Sequence, residues 1–116
     1  MEEKRRKKEN DMAMKLSGSN IEKEVYQADI PVLVDFYADW CGPCKAMSPV
    51  VEALAEEYEG KAKVGKINTD ENQEIAMEYG VMSIPTFIVF KGGKAVKKMT
   101  GMQDKKTLVA AIEEAL

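Results

Sequence analysis

The sequence PVLVDFYADWCGPCK, residues 31–45, joins an almost continuous apolar run to a short turn that holds both cysteines of the chain. Residues 31–38 have the character of a central strand buried on both faces of a sheet. Asp35 interrupts that run. Pro43 and Cys44 then lead into a helix whose apolar residues Met47, Val50, Val51, Leu54, Ala55 and Tyr58 recur at helical spacing, with Gly60 as the stop. The cysteines therefore stand where a strand hands over to a helix. A thiol at a helix N-terminus faces the positive end of the macrodipole and unpaired N–H donors, and both favour thiolate over thiol. Cys41 reads as the nucleophile. Gly42 and Pro43 turn the backbone into the helix and bring Cys44 within disulfide reach, which makes it the resolving thiol.

Outward from this stretch the signals alternate. MAMKL (12–16) is a strand candidate, and Ser19 with Glu22 forms a capping box for a helix from Asn20 to about Ala28. KVGKIN (63–68) is a third strand, and Asn72 to Tyr79 a short helix stopped by Gly80. IPTFIVF (84–90) is a fourth strand, which Gly92 and Gly93 turn into KAVKKMT (94–100) as an antiparallel hairpin. Asp104 can cap a last helix carrying Leu108, Val109, Ile112 and Leu116 on one face. The order β-α-β-α-β-α-β-β-α predicts an α/β fold: a central mixed five-stranded sheet flanked by four helices. In such sheets the site lies at the carboxyl ends of the strands, where WCGPC falls.

The chain has 116 residues, 45% hydrophobic and 32% charged, which suits one globular domain. A net charge of -3 gives no bulk attraction to nucleic acid or to an anionic membrane. The absence of histidine excludes Ser-His-Asp and Cys-His catalysis, and two cysteines alone leave a four-ligand metal sphere unfilled, so no metal is expected. No apolar block resembles a signal or a membrane span, so a soluble, cytoplasmic protein is expected. Residues 1–11, MEEKRRKKEND, carry five positive and four negative charges and read as a solvated, flexible tail, with a nucleic-acid contact or a fusion remnant as alternatives. The folded domain is expected over residues 12–116.

Together FYADWCGPCK, the later SIPTF and the glycines of KGGK and TGM resemble the thioredoxin family over residues 12–116. The resemblance implies the thioredoxin fold and a protein-disulfide reductase working through a redox-active Cys41–Cys44 disulfide. It implies that Asp35 is the buried carboxylate that manages the Cys44 proton and that Lys66 is its neighbour. Desolvation in an apolar strand, which raises a carboxyl pKa, supports the first of these roles. The resemblance also implies a cis Ile84–Pro85 bond and a substrate-docking rim of Trp40, Gly42, Pro43, Ile84, Pro85, Gly101 and Met102, with Met82 and Met102 adding adaptability. Tyr37, where many members have tryptophan, and Ser83, before Ile84, depart from the commonest pattern. No cofactor is implied, since a thioredoxin reductase supplies the electrons. The implied clients are ribonucleotide reductase, peroxiredoxin and methionine sulfoxide reductase, and the implied state is a monomer. Oxidant or isomerase relatives usually carry histidine between their cysteines, so Gly42 and Pro43 argue for reduction. A binding module with spectator thiols is the alternative from another class.

Overall fold

A computed structural model of the chain describes residues 12–116; the tail expected over 1–11 lies outside the described residues. The elements follow in order as β1 (Met14–Leu16), α1 (Glu22–Tyr26), β2 (Val32–Tyr37), α2 (Gly42–Glu57) and β3 (Lys63–Asn68). After them come α3 (Gln73–Glu78), β4 (Thr86–Lys91), β5 (Lys94–Thr100) and α4 (Lys105–Ala115). The five strands form one sheet in the order β1-β3-β2-β4-β5. β1 and β2 run parallel to β3, while β4 lies antiparallel to β2, and β5 antiparallel to β4. The mixed sheet expected from the sequence is present, and β2 is its middle strand.

Alternation along β2 divides the core. Val32, Val34 and Phe36 face one side, with Leu16, Ile21, Val25, Ile67, Ile88 and Phe90, where α1 and α3 pack. Leu33 faces the other, with Met47, Val51, Leu54, Phe87, Leu108 and Ile112, under α2 and α4. By the two-residue period of a strand, Asp35 shares the face of Leu33 and so lies beneath α2. Lys66 is its register partner on β3 and Phe87 on β4. The Asp35 carboxyl is thus placed by strand parity alone.

Two local expectations need correction. The first helical segment is a single π-helical turn, Glu22–Tyr26, closed by the Gln27 N–H on the Glu22 carbonyl at 3.0 Å, and no side chain caps it. The Ser19 hydroxyl pairs with that of Ser17 at 2.8 Å, and Asn20 Oδ1 accepts the Ser17 N–H at 2.8 Å, so a local polar turn takes the place of the capping box. Asp104 stands at the N-cap of α4, but its side chain makes no capping bond. The hairpin is as expected: Gly92 and Gly93 have φ of 60° and 81°.

Candidate active site

β2 ends at Tyr37 and α2 begins at Gly42, so Ala38 to Cys41 turn over the carboxyl edge of the sheet. Cys41 is the N-cap of α2, with extended φ of -87° and ψ of 113°. Its Sγ accepts the Cys44 N–H at 3.1 Å, so the sulfur satisfies a donor that a serine or aspartate oxygen serves in ordinary caps. Pro43, in the first turn, lacks an N–H where none could be paired. Cys41 and Cys44 are joined as a disulfide with a Cα–Cα separation of 5.2 Å. Both are buried, packed with Ala38, and Tyr37 and Ile84 close against them.

Because β4 runs antiparallel to β2, it starts at the edge where β2 finishes. Ile84 and Pro85, just before β4, therefore lie at this edge, and Ile84 meets the cysteines from across the sheet. The Ile84–Pro85 bond is cis, and the Ile84 carbonyl lies 3.9 Å from Cys41 Sγ, a contact only, since a disulfide sulfur has no proton to donate. Gly101 donates its N–H to the Pro85 carbonyl at 2.8 Å, which brings the end of β5 to the same edge.

A groove of about 470 Å³ runs beside the disulfide, lined among others by Trp40, Gly42, Pro43, Met82 and Ile84. Trp40 is 69% exposed, Met82 94% and Met102 56%, an unusual display of large apolar side chains beside a buried reactive bond. The Trp40 indole N–H donates to Asp70 Oδ2 at 2.8 Å. Asp70 was not legible as a site residue: it follows β3 in a polar loop, and only the tertiary fold brings it to the tryptophan.

Behind the disulfide a second cavity, about 180 Å³, is lined by Asp35, Tyr37, Cys44, Ser48 and Lys66, among others. Asp35 is buried, and its Oδ1 has no hydrogen-bond partner among the described residues. Burial raises its pKa to about 7; the Lys66 charge opposes that shift and the Glu52 charge adds to it. Lys66 is the register partner of Asp35 on β3, but its ion pair is with Glu52, at 3.2 Å. Its ammonium also lies 5.9 Å from the centre of the Tyr37 ring. No group of three or more potential metal ligands is assembled among the described residues.

The thioredoxin family model matches residues 12–114. The chain belongs to the thioredoxin family. It is 49% identical over 104 residues to Thioredoxin 1 of Nostoc sp., covering 90% of this chain and 97% of that relative. It is 48% identical over 103 residues to the thioredoxin of Alicyclobacillus acidocaldarius, covering 89% of this chain and 97% of the relative. A solved mutant thioredoxin from Halobacterium salinarum superposes with a TM-score of 0.81 at 43% identity, covering 89% of each chain. This thioredoxin-family chain is a thiol-disulfide oxidoreductase that reduces protein disulfides through the Cys41–Cys44 pair. The family works with a thioredoxin reductase and disulfide-bearing substrates and uses no cofactor. No helix among the described residues is long and apolar enough to cross a membrane.

Proposed function

We propose that the chain acts as a general cytoplasmic dithiol reductase in which Cys41 attacks and Cys44 resolves. In the dithiol form the Cys41 thiolate displaces one sulfur of a substrate disulfide and leaves a mixed disulfide. The Cys44 thiolate then attacks Cys41 Sγ, releasing the second substrate thiol and closing the Cys41–Cys44 bond. Two electrons pass to the substrate. The observation that carries the assignment is the 3.1 Å bond from the Cys44 N–H to Cys41 Sγ at the start of α2, a donor that holds negative charge on Cys41 rather than on Cys44.

Asp35 takes the proton from Cys44 across their shared cavity, directly or through one water, and returns it when the disulfide is reduced. A carboxyl with a pKa of about 7 is divided between acid and base at neutral pH, which suits a cycle run in both directions. Lys66 supplies the positive charge that keeps Asp35 from rising further. Trp40, Gly42, Pro43, Ile84, Pro85, Gly101 and Met102 form the rim on which a substrate loop docks. A thioredoxin reductase restores the dithiol, and clients of the ribonucleotide reductase, peroxiredoxin and methionine sulfoxide reductase type consume it; the working unit is a monomer of which residues 12–116 form the domain.

Reduction of insulin disulfides, driven by NADPH with a thioredoxin reductase or by dithiothreitol, tests the reading. Wild type should be active, and Cys41→Ser and Cys44→Ser inactive; activity surviving in Cys41→Ser would overturn it. The direction of work is tested by the reduction potential. The thioredoxin family is known for a potential of roughly -270 mV, and a potential near the roughly -120 mV of a strong oxidant would reject the reductase role.

A further inference from the structure

Glu52 enters neither the sequence reading nor the proton path above. It lies on α2 in a stripe with Cys44 and Ser48, at i, i+4 and i+8, so it faces the sheet just beyond the rear cavity. Its side chain is only 13% exposed. Each carboxylate oxygen has its own donor: the Ala13 N–H reaches Oε1 at 2.7 Å, and Lys66 Nζ reaches Oε2 at 3.2 Å. Ala13 is itself buried, so Glu52 is anchored from one side by backbone and from the other by the ammonium. Lys66 and Asp35 are register partners on the same face of adjacent strands, so the charge of one ammonium acts on both carboxyls. It bonds to Glu52, and Asp35 Oδ1 is left without a partner.

We propose that Glu52 is a positioning residue for thiol-disulfide exchange: it holds Lys66 away from Asp35 and so keeps the Asp35 carboxyl available to exchange a proton with Cys44. The proposal rests on the reading of Asp35 as the proton carrier. The groups around Asp35 are Lys66 from β3, Tyr37 from β2, apolar Phe87 from β4, Cys44, Lys45, Ser48 and Glu52 from α2, and Asp39 from the turn before it. Of these, Lys66 and Glu52 act on the Asp35 carboxyl with opposite signs, and removing the Glu52 charge both deletes a repulsion and frees the ammonium. Both changes favour the Asp35 carboxylate.

Glu52→Gln keeps an oxygen for the Ala13 N–H and removes only the charge. The Asp35 carboxyl is titrated by ¹³C NMR in the disulfide form, where the cysteines do not ionise. In parallel, the rate of disulfide reduction by dithiothreitol is measured against pH and divided by the Asp35→Asn rate at each pH, which cancels the ionisation of the reagent. The Asp35 midpoint should fall by on the order of one pH unit, as expected for a charge a few ångströms away, and the inflection of the rate ratio should fall with it. Glu52→Asp should restore part of both shifts. An unmoved Asp35 titration in folded Glu52→Gln overturns the proposal. A moved titration with an unmoved rate inflection instead rejects Asp35 as the proton carrier, and Glu52's part in the reaction with it. Lys66→Met tests the same shared ammonium if Glu52→Gln does not fold: the Asp35 midpoint should rise, and no change there also overturns the proposal.

Discussion

Replacing Asp35 by Asn should stabilise the folded disulfide form at alkaline pH far more than at acid pH. Asp35 is 4% exposed, and its pKa stands at about 7 in the folded chain against 3.8 for a free aspartate. A carboxyl whose pKa is raised on folding holds its proton in the native state at pH values where the unfolded chain has lost it. Stability therefore falls as pH rises from about 4 to about 7, and the loss is complete above that window. Roughly three units at about 1.36 kcal/mol each make the full cost about 4 kcal/mol. An asparagine has no charge to desolvate, so the variant escapes this cost while sharing every other titration with wild type. Urea unfolding of both oxidised proteins should give a stability difference that grows by about 3 to 4 kcal/mol, in favour of the variant, between about pH 4 and pH 8.5. A difference that is the same at both pH values would refute the claim that Asp35 is a buried acid of raised pKa. It would also remove the physical basis for the proposed proton exchange with Cys44.

Cys44→Ser should still attack a substrate disulfide but stall as the mixed disulfide, visible as a covalent adduct by mass spectrometry; no adduct would reject Cys41 as the attacking thiol. Trp40→Ala should raise the KM for insulin about tenfold, the effect of one interface anchor, while leaving the reduction potential unchanged; an unaltered KM would remove Trp40 from the docking rim. Gly93→Ala should destabilise the fold by about 2 kcal/mol and Gly92→Ala by only about 1 kcal/mol. Both have positive φ, but a Cβ on Gly93 would also meet the Tyr26 carbonyl oxygen at 2.9 Å, while nothing lies within 4 Å of one on Gly92. Equal urea midpoints for the two variants would show that the Tyr26 contact relaxes without cost.

The parts of the molecule legible in the sequence are those fixed by local periodicity and turn chemistry. The apolar run around Asp35 marked the central strand because both its faces are covered, and the 94–100 strand was delimited by two glycines whose φ only glycine adopts readily. α2 was legible because its buried residues Met47, Val51, Leu54 and Ala55 recur at the helical period. The π form of α1 was not, since five residues carry too little pattern to separate one helical pitch from another. Partner choice between polar side chains was also hidden. Nothing local says that Lys66 bonds to Glu52, or that Trp40 bonds to Asp70, because each pair is brought together by elements distant in sequence.

The direction of β4 links these two kinds of information. The hairpin signal fixed β5 relative to β4 but left open how that pair joins β2. Antiparallel pairing of β4 with β2 puts Thr86 beside Phe36 and brings Ile84 and Pro85 to the carboxyl edge of β2, with Ile84 against Cys41. A parallel β4 would have carried that proline to the opposite edge, about six residues of strand away, or roughly 20 Å. The cysteines would then have stood at the helix start without their apolar wall. Strand parity puts Asp35 beneath α2, and strand direction puts Ile84 and Pro85 in front of it. The reactive pair lies between a buried carboxyl on one side and an exposed apolar rim on the other, and the proposed exchange with a protein substrate draws on both.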